Sequence, residues 1–385
     1  MHSHAPRLCA ALLAVTFLAP LGHAQADGAN IYGFFQAQGQ YNTTEMAPQF
    51  GGATSEDATF SIQQLNVFLA NQFSTDFSAF VNTEVRNTLS TGDGFGELRL
   101  EEAWLRYHQS PALNIKAGRL IPTFNNLNEI KNRTPLVPYI FRPHVYESSY
   151  ERTLAIGQFV PDQAYLQAYG VIPVGEVRAD YAAYVGNGDV TNLASAEDAQ
   201  IAGQDTTLSK LVGGRLGARW HGLKAGVSAT KDSPQHGGFT IFGQPMEGVD
   251  GLGEMDRTRI GADLSFTLGR VFGEAEYIGV FYHLDDEQQA AVDAVSQASG
   301  GFIPNEFDGT FYYGLLGVNL TEKVFVYGRY DLFDEASFGN AVQAYNLGGG
   351  YRPIWPVVLK AQYHRVDMDN LFTSNYFFGA VSVSF

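Results

Sequence analysis

The sequence predicts an all-β chain closed into a membrane-spanning antiparallel β-barrel of sixteen strands. Three observations predict it. Apolar and polar residues alternate in steps of two along most of the chain after residue 27. Beyond the first 26 residues no run reaches the ~18 apolar residues that a membrane helix needs. Strand-like segments are joined alternately by short and long connections, the layout of a barrel with turns on one side of a membrane and loops on the other.

Composition narrows the function classes. Of 385 residues, 45% are hydrophobic and 17% charged, whereas soluble domains carry about 25% charged residues. The 13% aromatic content excludes a disordered chain. Forty Asp and Glu against 24 Lys and Arg give a net charge of −16, which argues against a nucleic-acid partner, since that needs a basic face. The single cysteine, Cys9, rules out a disulfide framework and a thiolate zinc site.

Residues 1–26 read as a secretory signal. Arg7 supplies the positive start, Cys9 to Leu21 the short apolar stretch, and Ala24-Gln25-Ala26 the small-residue cleavage motif, which places the cut before Asp27. Residues 27–385 form the barrel. Strands are expected near 30–41, 60–72, 76–87, 97–109, 112–121, 163–172, 177–186, 207–220, 223–232, 257–268, 271–283, 309–320, 323–334, 342–352, 356–367 and 374–385. The 257–268 segment shows the principle. Thr258, Ile260, Ala262, Leu264, Phe266 and Leu268 share one face, and Arg257, Arg259, Gly261, Asp263, Ser265 and Thr267 the other, so the strand separates oil from water. Short links such as Ser110-Pro111, His221-Gly222, Gly269-Arg270 and Thr321-Glu322 follow even-numbered strands. The connections 42–59, 122–162, 187–206, 233–256 and 284–308 are long and belong outside the cell. Tyr32, Tyr107, Tyr277, Phe281 and Tyr363 near strand ends are expected to form aromatic girdles.

The last strand places Phe377, Gly379, Val381, Val383 and Phe385 on one face, and the sequence stops at Phe385. This resembles the terminal strand of bacterial outer-membrane proteins, which ends in an aromatic residue used by the barrel-assembly machinery. The resemblance implies that Phe385 is the assembly signal and that the chain resides in the outer membrane of a Gram-negative bacterium, among its lipid and lipopolysaccharide. Sixteen strands leave room for an aqueous channel, whereas about eight leave an interior that side chains fill.

The longest connection contains an apolar patch, Leu136-Val137-Pro138-Tyr139-Ile140-Phe141, out of place in a solvated loop. Folding into the barrel would bury it. The layout resembles the sixteen-strand Gram-negative porins, in which the third loop narrows the channel. Leu100-Glu101-Glu102-Ala103-Trp104-Leu105-Arg106-Tyr107 followed by Ile115-Lys116-Ala117-Gly118-Arg119 looks like the phosphate-selective porin O/P family and its relatives. The chain has seven lysines, too few for the lysine-rich lumen that marks phosphate-selective members, so that specificity does not follow.

The polar faces supply the lumen. Its basic wall candidates are Arg86, Arg106, Lys116, Arg178, Arg215, Arg219, Arg257 and Arg259, joined by Lys224, Arg329 and Lys360. Its acidic candidates are Glu84, Glu102, Asp180, Asp263, Glu274, Glu276 and Asp331. Two outcomes are open. The charges pair across strands, as Arg329 and Asp331 would, or they form a basic stripe that biases which ions pass. The constriction candidates from the long loop are Lys131, Arg133, Arg142, Glu147 and Arg152.

No nucleophile elbow, phosphate loop or zinc-protease motif occurs, so no catalytic, cofactor or metal site is expected. Asp285-Asp286-Glu287 reads as a solvated acidic loop. The expected function is passive diffusion of small hydrophilic solutes or ions, leaning towards anions, through a pore that the porin resemblance implies to be a homotrimer. Small residues on the first strand, Gly33, Ala37 and Gly39, would let neighbouring barrels pack closely. The competing expectation is a plugged or partner-filled barrel serving as a structural sleeve or surface receptor.

Overall fold

In the computed structural model, residues 28–87, 96–147, 156–188, 208–236, 240–241, 244–245, 252–298, 305–335, 341–368 and 371–385 are described. The expected leader at 1–26 and Arg152 lie outside the described residues.

Sixteen long strands form the body. They are β1 (Asn30–Met46), β2 (Thr54–Gln72), β3 (Phe77–Asn87), β4 (Glu97–Ser110), β5 (Leu113–Leu120), β6 (Ala164–Val174), β7 (Val177–Gly186) and β8 (Leu211–Trp220). They continue as β9 (Leu223–Asp232), β10 (Asp256–Leu268), β11 (Val271–His283), β12 (Gly309–Asn319), β13 (Val324–Glu335), β14 (Val342–Tyr351), β15 (Val357–Met368) and β16 (Phe372–Ser384). Each pairs with its neighbours in sequence, and β16 pairs back to β1, so the sheet closes. The seam runs from Phe34 opposite Ser384 to Met46 opposite Phe372. Gly33 and Phe385 then exchange backbone hydrogen bonds at 2.9 Å. Gly33 is obligatory there, because a Cβ would lie 2.3 Å from the Asn66 carbonyl oxygen and 2.8 Å from the Phe385 ring. Closure leaves no unpaired edge, which hydrocarbon would not tolerate.

The short turns fall where the sequence places them. At the β8–β9 turn His221 and Gly222 both take positive φ, 44° and 85°. That pair of left-handed residues gives the turn whose twist matches the flanking strands. Outer faces are apolar and exposed: Leu216, Val227, Ile260, Leu264, Leu316 and Leu347 all point away from the barrel. The inner faces are the ones the alternation names, and most of their side chains are buried. Where inner faces are buried, that part of the lumen is filled. Bulges adjust the register: on β2, Gln63 and Gln64 are both buried next to a shift opposite Gln36 and Ala37.

Two expectations need correction. Tyr32 is no girdle residue. It shares the inner face of β1 with Phe34 and Gln36, packs at a tilt against Phe68 and lines the lumen. The 284–308 connection is no plain solvated loop. It carries helix α1 (Asp286–Ala298). Asp285 Oδ1 accepts from the Gln288 backbone N–H at 2.8 Å, and Gln288 Oε1 accepts from the Asp285 N–H at 3.1 Å. This is a reciprocal capping box. Asp286 and Glu287 occupy the first turn, where the helix dipole favours negative charge.

Candidate functional site: the lumen and the segment that crosses it

The connection between β5 and β6 folds into the barrel. Its apolar patch becomes core: Val137, Tyr139, Ile140 and Phe141 are buried, while Leu136 stays exposed. The partner surface is an apolar inner face contributed by β11 to β15, including Ile278, Val280, Phe311, Phe325, Phe333 and Val366. Val292 and Val295 of α1 join the same cluster, so the filling reaches from mid-barrel to the long-loop end. Burying this much apolar surface, at about 25 cal/mol per Å², is what draws the segment inward.

Polar tethers set its position. Lys360 Nζ donates to the carbonyls of Thr134, Val137 and Tyr139 at 2.6, 2.9 and 3.1 Å. Gln362 Oε1 accepts from the backbone N–H groups of Ile140 and Phe141 at 2.7 and 3.0 Å. Arg329 donates to the Phe141 carbonyl at 2.8 Å while its other edge holds Asp331 at 2.8 Å. Further along the same wall, Glu276 on β11 accepts from the N–H groups of Asn126 and Leu127 and from the Tyr146 hydroxyl, at 3.0, 2.7 and 2.6 Å. Burial and the adjacent Glu276 carboxylate hold the Tyr146 phenol well above its ordinary value. Gln63 on β2 donates to the Ile140 carbonyl at 3.0 Å, and Arg259 on β10 to the Gln158 carbonyl at 2.6 Å. The segment is thus bonded to walls on several sides of the barrel, and each bond satisfies a backbone group that burial would otherwise strand.

The sequence-named charges divide into two groups. The first is paired. Arg86 meets Glu84 at 3.2 Å, and Arg215 sits between Asp180 and Asp263 at 2.6 and 2.7 Å. Arg219 reaches Asp180 at 3.4 Å. Arg257 and Arg259 share Asp232 at 2.5 and 3.3 Å. Within the segment, buried Arg142 pairs with buried Glu147 at 3.4 Å and donates to Asn132 at 2.9 Å. Asp232, absent from the sequence census of carboxylates, is the partner that explains two arginines. Its place at the end of β9, in register with Arg257 on β10, brings it to both arginines.

The second group has no carboxylate within ion-pair distance among the described residues. Arg106 and Lys116 are cross-strand neighbours on β4 and β5, and Arg133 is on the inward segment. All three line one cavity of about 270 Å³. Glu102, Glu129, Ile121 and the rings of Tyr32, Phe80, Trp104 and Tyr169 complete its walls. Arg178 is inward and exposed, and Lys131 is on the inward segment but does not line that cavity. The Arg106 Nε is buried with no hydrogen-bond partner. Among the described residues no group of His, Cys, Asp and Glu could hold a metal ion.

Comparison with known proteins supports the same architecture. No family model matches the sequence. An uncharacterised protein of Aquifex aeolicus is 22% identical over 335 residues, covering 80% of this chain and 70% of that protein. The anion-selective porin of Comamonas acidovorans superposes with a TM-score of 0.57 at 12% identity, covering 93% of this chain and 99% of that one. The outer-membrane channel DcaP of Acinetobacter baumannii gives 0.56 at 13% identity, covering 93% and 97%. OprB of Pseudomonas putida gives 0.60 at 10% identity, covering 93% and 94%. The chain therefore has the fold of the outer-membrane porins and channels.

Proposed function

We propose that the protein is an outer-membrane diffusion channel for small hydrophilic solutes, narrowed on one side by the inward segment and biased towards anions on the other. One observation carries the reading. The inner wall is asymmetric: β11 to β15 present an apolar face covered by the segment, whereas β3 to β6 present Arg106 and Lys116 to an open cavity. Sieving comes from the reduced cross-section. Selectivity comes from charge, because a low-dielectric wall focuses the field of any cation left without a carboxylate partner. The paired arginines contribute little to that field. The constriction therefore reduces to Arg106, Lys116 and Arg133, with Arg142 and Glu147 acting as an anchor of the segment. The Gram-negative outer membrane as location, Phe385 as assembly signal and a homotrimer as working state belong to the same reading.

Single-channel current in a planar bilayer tests it, with the reversal potential read under a salt gradient. Discrete steps with anion preference are expected. The triple variant R106Q/K116Q/R133Q should move the reversal potential towards zero, while R257Q should leave it in place. Folded, heat-modifiable protein that gives no steps would replace the channel with the sealed barrel.

A further inference from the structure

We infer that the cavity between β1, β3 to β6 and the inward segment is a binding subsite for a one-ring aromatic monocarboxylate. The inference deepens the channel reading by naming a solute class.

The aromatic side chains form one tier around the lumen, close to the short-turn end. Tyr32 and Phe68 have ring centroids 5.1 Å apart. Phe68 stacks on Phe80 at 5.5 Å, and Phe80 on Trp104 at 5.0 Å. Lys116 Nζ then sits 4.5 Å from the Trp104 ring and 5.2 Å from the Tyr169 ring. Phe68, Phe80 and Trp104, stacked in succession along the wall at interplanar angles of 25° and 28°, turn their edges to the lumen. Those edges carry the positive end of the ring quadrupole, which suits an electron-rich planar ligand.

Charge selects the ligand further. Arg106, Lys116 and Arg133 line the cavity together with Glu102 and Glu129, which leaves one net positive charge. Glu102 is already engaged, accepting from the Trp104 indole N–H at 3.0 Å. A monoanion neutralises the remainder. Arg106 has the unsatisfied donor, and its planar guanidinium matches a carboxylate in two-point fashion. Size agrees. Sites for drug-sized molecules run from about 300 Å³ upward, so a cavity of about 270 Å³ takes a single ring with its acid group. The cationic, edge-on tier also disfavours an amine of the same shape.

Benzoate is the probe, and Trp104 fluorescence the readout. Trp220 and Trp355, the two other tryptophans, are exposed at the short-turn end and are replaced by Phe to isolate the signal. Purified barrel in detergent micelles should show saturable quenching by benzoate. Acetate should need at least tenfold more ligand, and benzylamine should not compete. R106Q should weaken benzoate at least tenfold, and so should K116Q, with both variants still heat-modifiable. No saturable response from the folded barrel would overturn the assignment, as would equal binding by R106Q or by benzylamine. The readout needs no ion current. A barrel that binds benzoate without conducting keeps the subsite and loses the channel, and one that conducts without binding loses the subsite alone.

Discussion

Single side chains decide how firmly the segment is held. Lys360 is a buried ammonium with carbonyl oxygens at 2.6, 2.9 and 3.1 Å in place of a carboxylate. Substituting methionine removes a costly buried charge and also strands those acceptors. An unmade buried bond costs about 1–3 kcal/mol, so K360M should lower barrel stability by roughly that amount, seen in the thermal midpoint of the micellar protein. Tyr146 gives a pH dependence of defined sign. Its folded phenol titrates well above the ordinary 10.0, through burial and the Glu276 charge, so folding favours the protonated form. That contribution is complete below pH 10.0 and erodes as the pH rises above it. Y146F should remove this part of the alkaline loss while leaving the neutral-pH fold intact. Denaturant midpoints at pH 8 and pH 11 check it.

At the scale of elements, the strands were legible and the helix was not. Sixteen predicted strand segments meet sixteen strands because a two-residue period between the outer face and the lumen leaves a long, regular imprint. Helix α1 is hidden because the charge of its Asp285-Asp286-Glu287 start suggests a solvated loop. The capping pair Asp285 and Gln288, three residues apart, was the available signal. Asp285→Ala should cost about 1 kcal/mol of local stability. Hydrogen exchange should show it as faster exchange of the α1 amides, with the barrel amides unchanged. Tyr32 was misplaced for a different reason. Position near a strand end suggested an interface ring, but the parity of β1 puts it on the same face as Phe34, inside.

For the whole molecule, the segment and the apolar inner wall are one structure. The faces of β11 to β15 could be greasy inside only because a buried partner covers them. Excising residues 124–147 should therefore not yield a simple wide pore. It would bare Ile278, Val280, Phe311, Phe325 and Phe333 to water. The expected result is a sharp fall in heat-modifiable folded protein on gels, larger than for any point variant above. Recovery of a stable barrel with several-fold higher conductance would mean that the segment is a detachable constriction.

The all-β class, the strand order, the turn side and the face of each strand follow from local periodicity and link length and are legible in the sequence. It also carried the inward and outward parity of every wall charge named from it. Which of those charges pair was decided only by tertiary structure. Arg215 meets Asp180 and Asp263 from two other strands, and Arg257 meets Asp232 across the β9–β10 pair, distances that no local pattern encodes. The same holds for the site. Arg106, Lys116, Arg133 and four aromatic rings are spread over more than a hundred residues, and barrel closure with the folded segment is what brings them around one cavity.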